Sequence, residues 1–138
     1  MANETFIDTS GFYSLLVRRD RMHARAAAFM ANEARVQGRF ITTDYVLDES
    51  VTLLKARGQG ALIRPLFESI DNSTALRIEW TTSERFDQAK AFCMRYADKA
   101  WSFTDCVSFV VMQSLRLTAA LTTDDHFAQA GFRALLKE

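Results

Sequence analysis

The sequence has little proline, glycine or cysteine. Its 138 residues include one proline, five glycines and two cysteines, and they contain no low-complexity stretch. This composition excludes a collagen-like chain and a long disordered region. Cys93 and Cys106 form no CxxC pair and fall in apolar helical patterns, which argues against a disulfide framework. We expect both to be buried, reduced thiols.

Charge of one sign and long apolar runs are also lacking. Seventeen basic residues balance seventeen acidic ones, so no overall positive field attracts nucleic acid, and such binding needs a local basic patch. The start, "MANETFID", has neither the basic segment nor the apolar run of a signal peptide, and no stretch approaches the length of a membrane span. We therefore expect a cytoplasmic protein with no membrane association.

What is present is the composition of a folded domain. Apolar residues make up 49% of the chain and charged residues 25%, values that are typical of globular proteins. A chain of this length buries a substantial core, and no linker or internal repeat divides it. We expect a single domain that spans residues 1–138.

Strand-like and helix-like segments alternate along the chain. Short runs typical of strands occur at 5–8, 39–45, 75–80, 117–123 and 132–136. Helical patterns occupy 10–17, 22–36, 44–57, 61–70, 81–97, 102–115 and 125–130. This alternation predicts an α/β fold with a mostly parallel central sheet of about five strands and helices on both faces.

Three local signals are typical of helix starts. Thr81 with Glu84, and Ser102 with Asp105, have the spacing of a capping box. Pro65 suits either the beginning of a short helix or a kink within one.

Acidic residues follow the predicted strands at four points. Asp8 ends the first strand, Glu49 lies in the second turn of the helix after the second strand, Asp105 opens a helix, and Asp124 follows "AAL". In a parallel sheet, ligands bind outside the carboxyl ends of the strands, so the four carboxylates can meet in one crevice. Number and position together favour a bound cation, because close like charges destabilise a fold unless they are neutralised.

Each carboxylate also has a structural alternative. Asp8 is a candidate N-cap for the first helix, and either Asp124 or Asp125 for the last one, because aspartate accepts hydrogen bonds from free amides at a helix start. A capping box accounts for Asp105 on its own. On a helical wheel Glu49 and Asp48 border opposite edges of the apolar stripe, and periodicity does not choose between them.

Oxygen-only ligation favours Mg²⁺ or Mn²⁺ over zinc. The histidines, His23 and His126, are isolated in the sequence, and no Cys/His spacing fits a zinc site. We interpret both as surface or partly buried histidines.

Four blocks in order resemble a known family over nearly the whole chain. The blocks "FIDTSGFYSLL", "LDESVTLL", "SFTDCVSFVVM" and "ALTTDDHFAQAGF" are similar to the signature blocks of PIN-domain nucleases, most of all stand-alone VapC-type toxin ribonucleases. The resemblance implies a single PIN-like domain in which Asp8, Glu49, Asp105 and Asp124 are the catalytic, metal-binding residues. Thr9, Ser10 and Thr122 match supporting positions, and Asp44, Asp48 and Asp125 fall outside the pattern.

The resemblance also implies an activity and partners. It indicates an endoribonuclease that uses Mg²⁺ or Mn²⁺ to hydrolyse RNA and leaves a 5′-phosphate and a 3′-hydroxyl. Such a protein would be the toxin of a type II toxin–antitoxin pair, a homodimer inhibited by a small antitoxin. The alternatives are a non-catalytic PIN-like module that binds RNA or protein, and a housekeeping RNA-processing nuclease outside such a pair.

An acidic pocket repels a polyanion, so RNA binding requires basic residues nearby. Arg18, Arg19, Arg21 and Arg25 follow the first helix and are candidate substrate-binding residues, with a solvated face as the alternative. Phe12 and Tyr13 are the aromatic candidates for RNA contact. We expect Trp80, Trp101 and the other phenylalanines to be core residues.

Overall fold

A computed structural model describes residues 3–138. Its strands are β1 (Glu4–Ile7), β2 (Arg39–Thr43), β3 (Leu76–Glu79), β4 (Ala119–Leu121) and β5 (Arg133–Ala134). Its helices are α1 (Thr9–Leu16), α2 (His23–Arg35), α3 (Asp44–Ala56), α4 (Ile63–Asp71), α5 (Ser83–Arg95), α6 (Phe103–Ser114) and α7 (Asp125–Gln129), with 3₁₀ turns at Gly60–Leu62 and Leu135–Lys137. Among the residues described, no helix combines the length and apolar character needed to span a bilayer.

The five strands form one sheet in the order β3-β2-β1-β4-β5, and every neighbouring pair is parallel. Successive side chains of a strand point to opposite faces, yet Phe6 and Ile7 of β1 are both completely buried. Helices therefore cover both faces, as in other all-parallel sheets. The predicted α/β fold with a five-stranded parallel sheet is confirmed.

The strand order creates a switch point between β1 and β4. From β1 the chain moves outward through β2 to β3, then returns to place β4 on the other side of β1. Connections that leave in opposite directions open a crevice at the carboxyl ends of the two strands, where α/β proteins bind ligands. Asp8 directly follows β1 and Asp124 follows β4, so the topology puts both at this crevice.

Gly11 allows α1 to approach β4 closely. A Cβ atom at this position would lie 2.1 Å from the carbonyl oxygen of Leu121, which is shorter than any tolerable contact. The first turn of α1 therefore packs against the end of β4 because residue 11 has no side chain. This contact brings the residues that follow β1 next to those that follow β4.

The last predicted strand is largely wrong. The sequence predicted a strand over 132–136, but β5 contains only Arg133–Ala134 and the chain continues as a 3₁₀ turn. The turn forms because the Leu136 amide donates to the carbonyl of Thr122, so the chain folds over the end of β4 rather than extending beside it.

The predicted start of α5 is wrong by one residue. The N-cap is Thr82, whose hydroxyl accepts from the Arg85 amide. Thr81 instead donates to Asp44 from both its amide and its hydroxyl, which ties the start of α3 to the loop after β3. Pro65 lies in the first turn of α4, where its missing amide has no partner to lose.

Several aromatic expectations are corrected. Phe67 and Phe86 are each 39% exposed, so these two phenylalanines are not core residues. Trp80 is 63% exposed, so it is not a core residue, whereas Trp101 packs against Phe92 and Phe109 as expected. Phe12 is buried in the core, which removes it as a candidate for RNA contact. Cys106 is buried and Cys93 half-buried, and both are free.

Candidate metal centre

Asp8 is held at the start of α1 by hydrogen bonds to both carboxylate oxygens. Its Oδ1 accepts from the Gly11 amide at 3.0 Å and from the Ser10 hydroxyl at 2.8 Å. Its Oδ2 accepts from the Thr122 hydroxyl at 2.8 Å. Asp8 is thus the N-cap, as the sequence allowed, and its carboxylate also faces the residues that follow β4.

Two hydroxyls connect the ends of β1 and β4. The Thr122 hydroxyl, while donating to Asp8, accepts from the Asp124 amide at 2.9 Å. The Ser10 hydroxyl accepts from the Thr123 amide at 2.9 Å and lies 3.1 Å from the Thr122 hydroxyl. The two strand ends therefore share one network, in which each hydroxyl has a donor and an acceptor.

Asp124, not Asp125, caps α7. The Asp124 carboxylate accepts from the His126 amide at 2.9 Å. Asp125 is exposed and forms a surface ion pair with Lys137 at 3.2 Å. The sequence left either aspartate as the cap, and only Asp124 lies in the crevice.

The His126 imidazole lies between the carboxylates of Asp105 and Asp124. Ser102 and Asp105 form the predicted capping box at the start of α6. The Nδ1 atom of His126 lies 2.9 Å from Asp105 Oδ2 and 3.5 Å from Asp124 Oδ1. His126 is partly buried, as the sequence indicated, and the packing of α6 against α7 gives it two acidic partners that the sequence did not predict. One ligand atom from each of these residues lies within 4.8 Å of the others.

Glu49 reaches the same edge from α3. Its carboxylate accepts from the Thr9 hydroxyl at 2.7 Å, next to Asp8 in the chain. Asp48 is exposed to solvent. The helical wheel did not distinguish Glu49 from Asp48, and the fold places Glu49 at the crevice. Thr9, Ser10 and Thr122 each donate a hydrogen bond to one of the candidate carboxylates.

Burial raises the pKa of Asp8 from 3.8 to about 7. The hydrogen bonds from Gly11, Thr122 and Ser10 lower the pKa and the charge of Asp124 raises it, but loss of solvation is the largest effect. A buried carboxylate next to another acidic residue is unfavourable unless a cation compensates its charge.

The negative charge of the neighbouring carboxylates also shifts the pKa of His126. Burial lowers the pKa of its imidazole, but the hydrogen bond to Asp105 and the charges of Asp124, Asp105 and Asp125 outweigh burial and raise the pKa above its usual value. The carboxylates fit a divalent cation: Asp105 and Asp124 present oxygens within 4.8 Å of each other beside the His126 imidazole, and the buried Asp8 carboxyl is an acid that a cation would stabilise.

The candidate arginines do not form one patch. Arg18, Arg19 and Arg21 are exposed in the loop between α1 and α2. Arg25 lies on α2 and donates to the carbonyl oxygens of Leu135 and Glu138. These carbonyls lie near the C-terminus and line a cavity with residues at the amino ends of β1 and β4. The crevice lies at the carboxyl ends of these strands. Arg25 therefore lies at the opposite edge of the sheet.

Comparison with known proteins identifies the relatives of the chain. Residues 5–133 match the family model of the PIN domain. The chain is similar to the 23S rRNA-specific endonuclease VapC20 of two Mycobacterium tuberculosis strains, with 33% identity over 128 residues, 92% of this chain and 94% of the relative. A VapC ribonuclease of Archaeoglobus fulgidus is 32% identical over 113 residues, 80% of this chain and 71% of the relative.

A solved structure has the same fold. The crystal structure of M. tuberculosis VapC20, described as a toxin that cleaves the sarcin-ricin loop, matches with a TM-score of 0.83 and 29% identity. The match covers 94% of this chain and 97% of that chain. The similarity of fold therefore extends over nearly the whole chain.

Proposed function

The chain belongs to the PIN-domain family, and we propose that it is an endoribonuclease of the VapC toxin type that hydrolyses RNA with Mg²⁺ or Mn²⁺. One observation supports this proposal most directly. Asp105, Asp124 and His126 each place one potential ligand atom within 4.8 Å of the others, next to the buried carboxylate of Asp8. A non-catalytic binding module has no need for this arrangement, because unneutralised carboxylates at one point reduce stability.

The residues that would hold the metal are Asp8, Asp105 and Asp124, with Glu49 beside them. The chemistry that a divalent metal supplies there is activation of water and stabilisation of negative charge on the phosphate. The protein orients the carboxylates beforehand: the Gly11, Ser102 and His126 amides each fix one of them. Residues that fix metal ligands in this way commonly contribute 10- to 100-fold, roughly, to metal affinity or activity.

Purified protein is expected to cut RNA only when Mg²⁺ or Mn²⁺ is present. Fragments should carry a 5′-phosphate and a 3′-hydroxyl, because water would attack the phosphorus directly, the bond from phosphorus to the 3′-oxygen would break, and the 3′-oxygen would leave with a proton. Cleavage of 23S rRNA and of an unrelated RNA, followed by analysis of the fragment ends, measures this. Chelation with EDTA should stop the reaction and added Mn²⁺ should restore it.

The control for contaminating ribonuclease is the Asp105→Asn protein purified in the same way. Cleavage that continues in EDTA, or fragments that end in a 2′,3′-cyclic phosphate, would contradict metal-dependent hydrolysis. Preference for 23S rRNA over the unrelated RNA would support the same target class as the M. tuberculosis relative.

Asp124→Asn is expected to reduce cleavage by more than about 100-fold, as for any residue that holds the metal, and Asp125→Asn by less than about twofold. Asparagine caps a helix as well as aspartate does, so the first change removes charge at the crevice without unfolding α7. Asp125 pairs with Lys137 on the surface, where ion pairs contribute little. Comparison of the two rate constants at saturating Mn²⁺ tests the assignment, and the reverse order would place the site carboxylate one residue later.

We propose a small antitoxin as the protein partner and a homodimer as the assembly, both by analogy with VapC toxins. The housekeeping alternative differs in its genetic context. A short neighbouring reading frame that encodes a DNA-binding antitoxin favours the toxin role, and its absence favours RNA processing.

A further inference from the structure

A groove of about 180 Å³ leads away from the metal centre between α1 and α3. Ser10 and Thr123 line its near end. These are the residues that connect Asp8 to the end of β4: the Ser10 hydroxyl donates to Asp8 and accepts from the Thr123 amide. The near end of the groove therefore borders the crevice that holds the carboxylates.

One face of α3 leads from Glu49 at the metal centre to Arg57, which caps the carboxyl end of the helix. Glu49, Leu53 and Arg57 are spaced by four residues, so they follow one face of the helix. Leu53 and Arg57 line the groove. At 1.5 Å of rise per residue, Arg57 lies about 12 Å from Glu49 along the helix axis. An RNA strand extended along this face would pass Arg57 within a few nucleotides of the metal centre.

Tyr13 of α1 positions Arg57 across the groove. The guanidinium carbon of Arg57 lies 4.7 Å from the centroid of the Tyr13 ring, a distance typical of a cation–π contact. Among residues 3–138, no carboxylate forms an ion pair with Arg57. Its charge is held in place by an aromatic ring and its hydrogen-bond donors are free to meet a ligand.

Other residues of the groove fit an anionic ligand. Arg21 adds a second guanidinium to the lining. Asp20 is the acidic residue of the lining, and its Oδ2 accepts from the Ser14 hydroxyl and the Met22 amide, so its charge is engaged within the loop. The guanidiniums of Arg57 and Arg21 can attract the phosphates that the carboxylates of the metal centre repel.

We propose that this groove binds the RNA strand next to the scissile phosphate, with Arg57 as a phosphate-binding residue held over Tyr13. The inference rests on the proposed endoribonuclease function and adds to it a path for the substrate. Arg57 was not among the arginines that the sequence indicated, since it is far from them in the chain.

The test is Arg57→Gln, with Arg95→Gln as the matched control. Arg95 lies 5.4 Å from the centroid of the Tyr96 ring at the end of α5, so it has the same aromatic contact away from the groove. We expect Arg57→Gln to raise KM about tenfold and to change kcat less than about twofold, because a phosphate contact binds substrate and transition state alike. Arg95→Gln should leave both constants unchanged.

Binding is measured separately from cleavage. In the Asp105→Asn background, fluorescence anisotropy with a short labelled single-stranded RNA of mixed sequence gives Kd at several salt concentrations. Arg57→Gln should raise Kd about tenfold and lower the slope of log Kd against log salt by about one, the signature of one lost phosphate contact. Arg57→Lys should retain the slope, because lysine keeps the charge.

The outcomes separate this inference from the proposed function. If the wild-type protein cleaves RNA and Arg57→Gln matches Arg95→Gln in KM, Kd and salt slope, the groove assignment is overturned and the nuclease function stands. A loss confined to kcat would also overturn it, because Arg57 would then act on the reacting phosphate. If the wild-type protein neither binds nor cuts RNA, both proposals fail.

Discussion

Asparagine in place of Asp8 or Asp105 is expected to reduce metal-dependent RNA cleavage by more than about 100-fold while the protein stays folded. Each change keeps the shape of the side chain and removes its negative charge. Substitution of a residue that hydrogen-bonds to a metal ligand commonly reduces activity by up to about 100-fold. Substitution of a residue that contacts the metal itself should reduce activity further. Both variants retain an oxygen that accepts from the Gly11 or Ser102 amide, so α1 and α6 remain capped.

The measurement is the single-turnover rate of RNA cleavage at saturating Mn²⁺, with Mn²⁺ affinity determined by electron paramagnetic resonance. Asp48→Asn is the matched control, since Asp48 is exposed and directly precedes Glu49. Its rate and Mn²⁺ affinity should equal those of the wild-type protein. Full cleavage by either Asp8→Asn or Asp105→Asn would rule out the proposed centre.

Local patterns were sufficient to locate the acidic residues. Asp8 follows a buried strand and caps the next helix, and Ser102 with Asp105 has capping-box spacing. Parallel topology then predicts that acids after different strands share one edge. These inferences succeed because each depends on a few consecutive residues and on one general property of α/β sheets.

Features that depend on distant contacts were missed. The role of His126 requires α6 to pack beside α7, and the position of Arg57 over Tyr13 requires α1 to pack beside α3. Thr82 replaces Thr81 as the cap because Asp44, far away in the chain, binds Thr81. Propensity and periodicity describe a segment without its tertiary neighbours, so they cannot predict such contacts.

Asp8→Asn is also expected to stabilise the metal-free protein, and the gain should grow with pH. The folded protein raises the pKa of Asp8 from 3.8 to about 7. Below about pH 4 the carboxyl is protonated in both states and has no effect on the free energy of unfolding. Between pH 4 and 7 only the unfolded state releases the proton, so stability falls; above pH 7 the loss is constant.

The size of this effect follows from the shift. A change of about three pKa units corresponds to about 4 kcal/mol at 1.36 kcal/mol per unit. Asparagine cannot ionise, so Asp8→Asn should exceed the wild type in unfolding free energy by up to about 4 kcal/mol at pH 8 and by little at pH 4. The hydroxyls of Ser10 and Thr122 can each donate or accept, so they accommodate the new amide group.

Urea denaturation in EDTA at pH 4 and pH 8 measures the difference, and Asp125→Asn serves as the surface control. If the gain in unfolding free energy is equal at both pH values, or if the variant is less stable than the wild type at pH 8, burial does not raise the pKa of Asp8. Mn²⁺ at pH 8 should stabilise the wild type and have less effect on Asp8→Asn, because ligands stabilise the state that binds them. One substitution would then abolish cleavage and strengthen the fold, which excludes misfolding as the cause of lost activity and identifies the destabilising charge at position 8 as a requirement of metal binding.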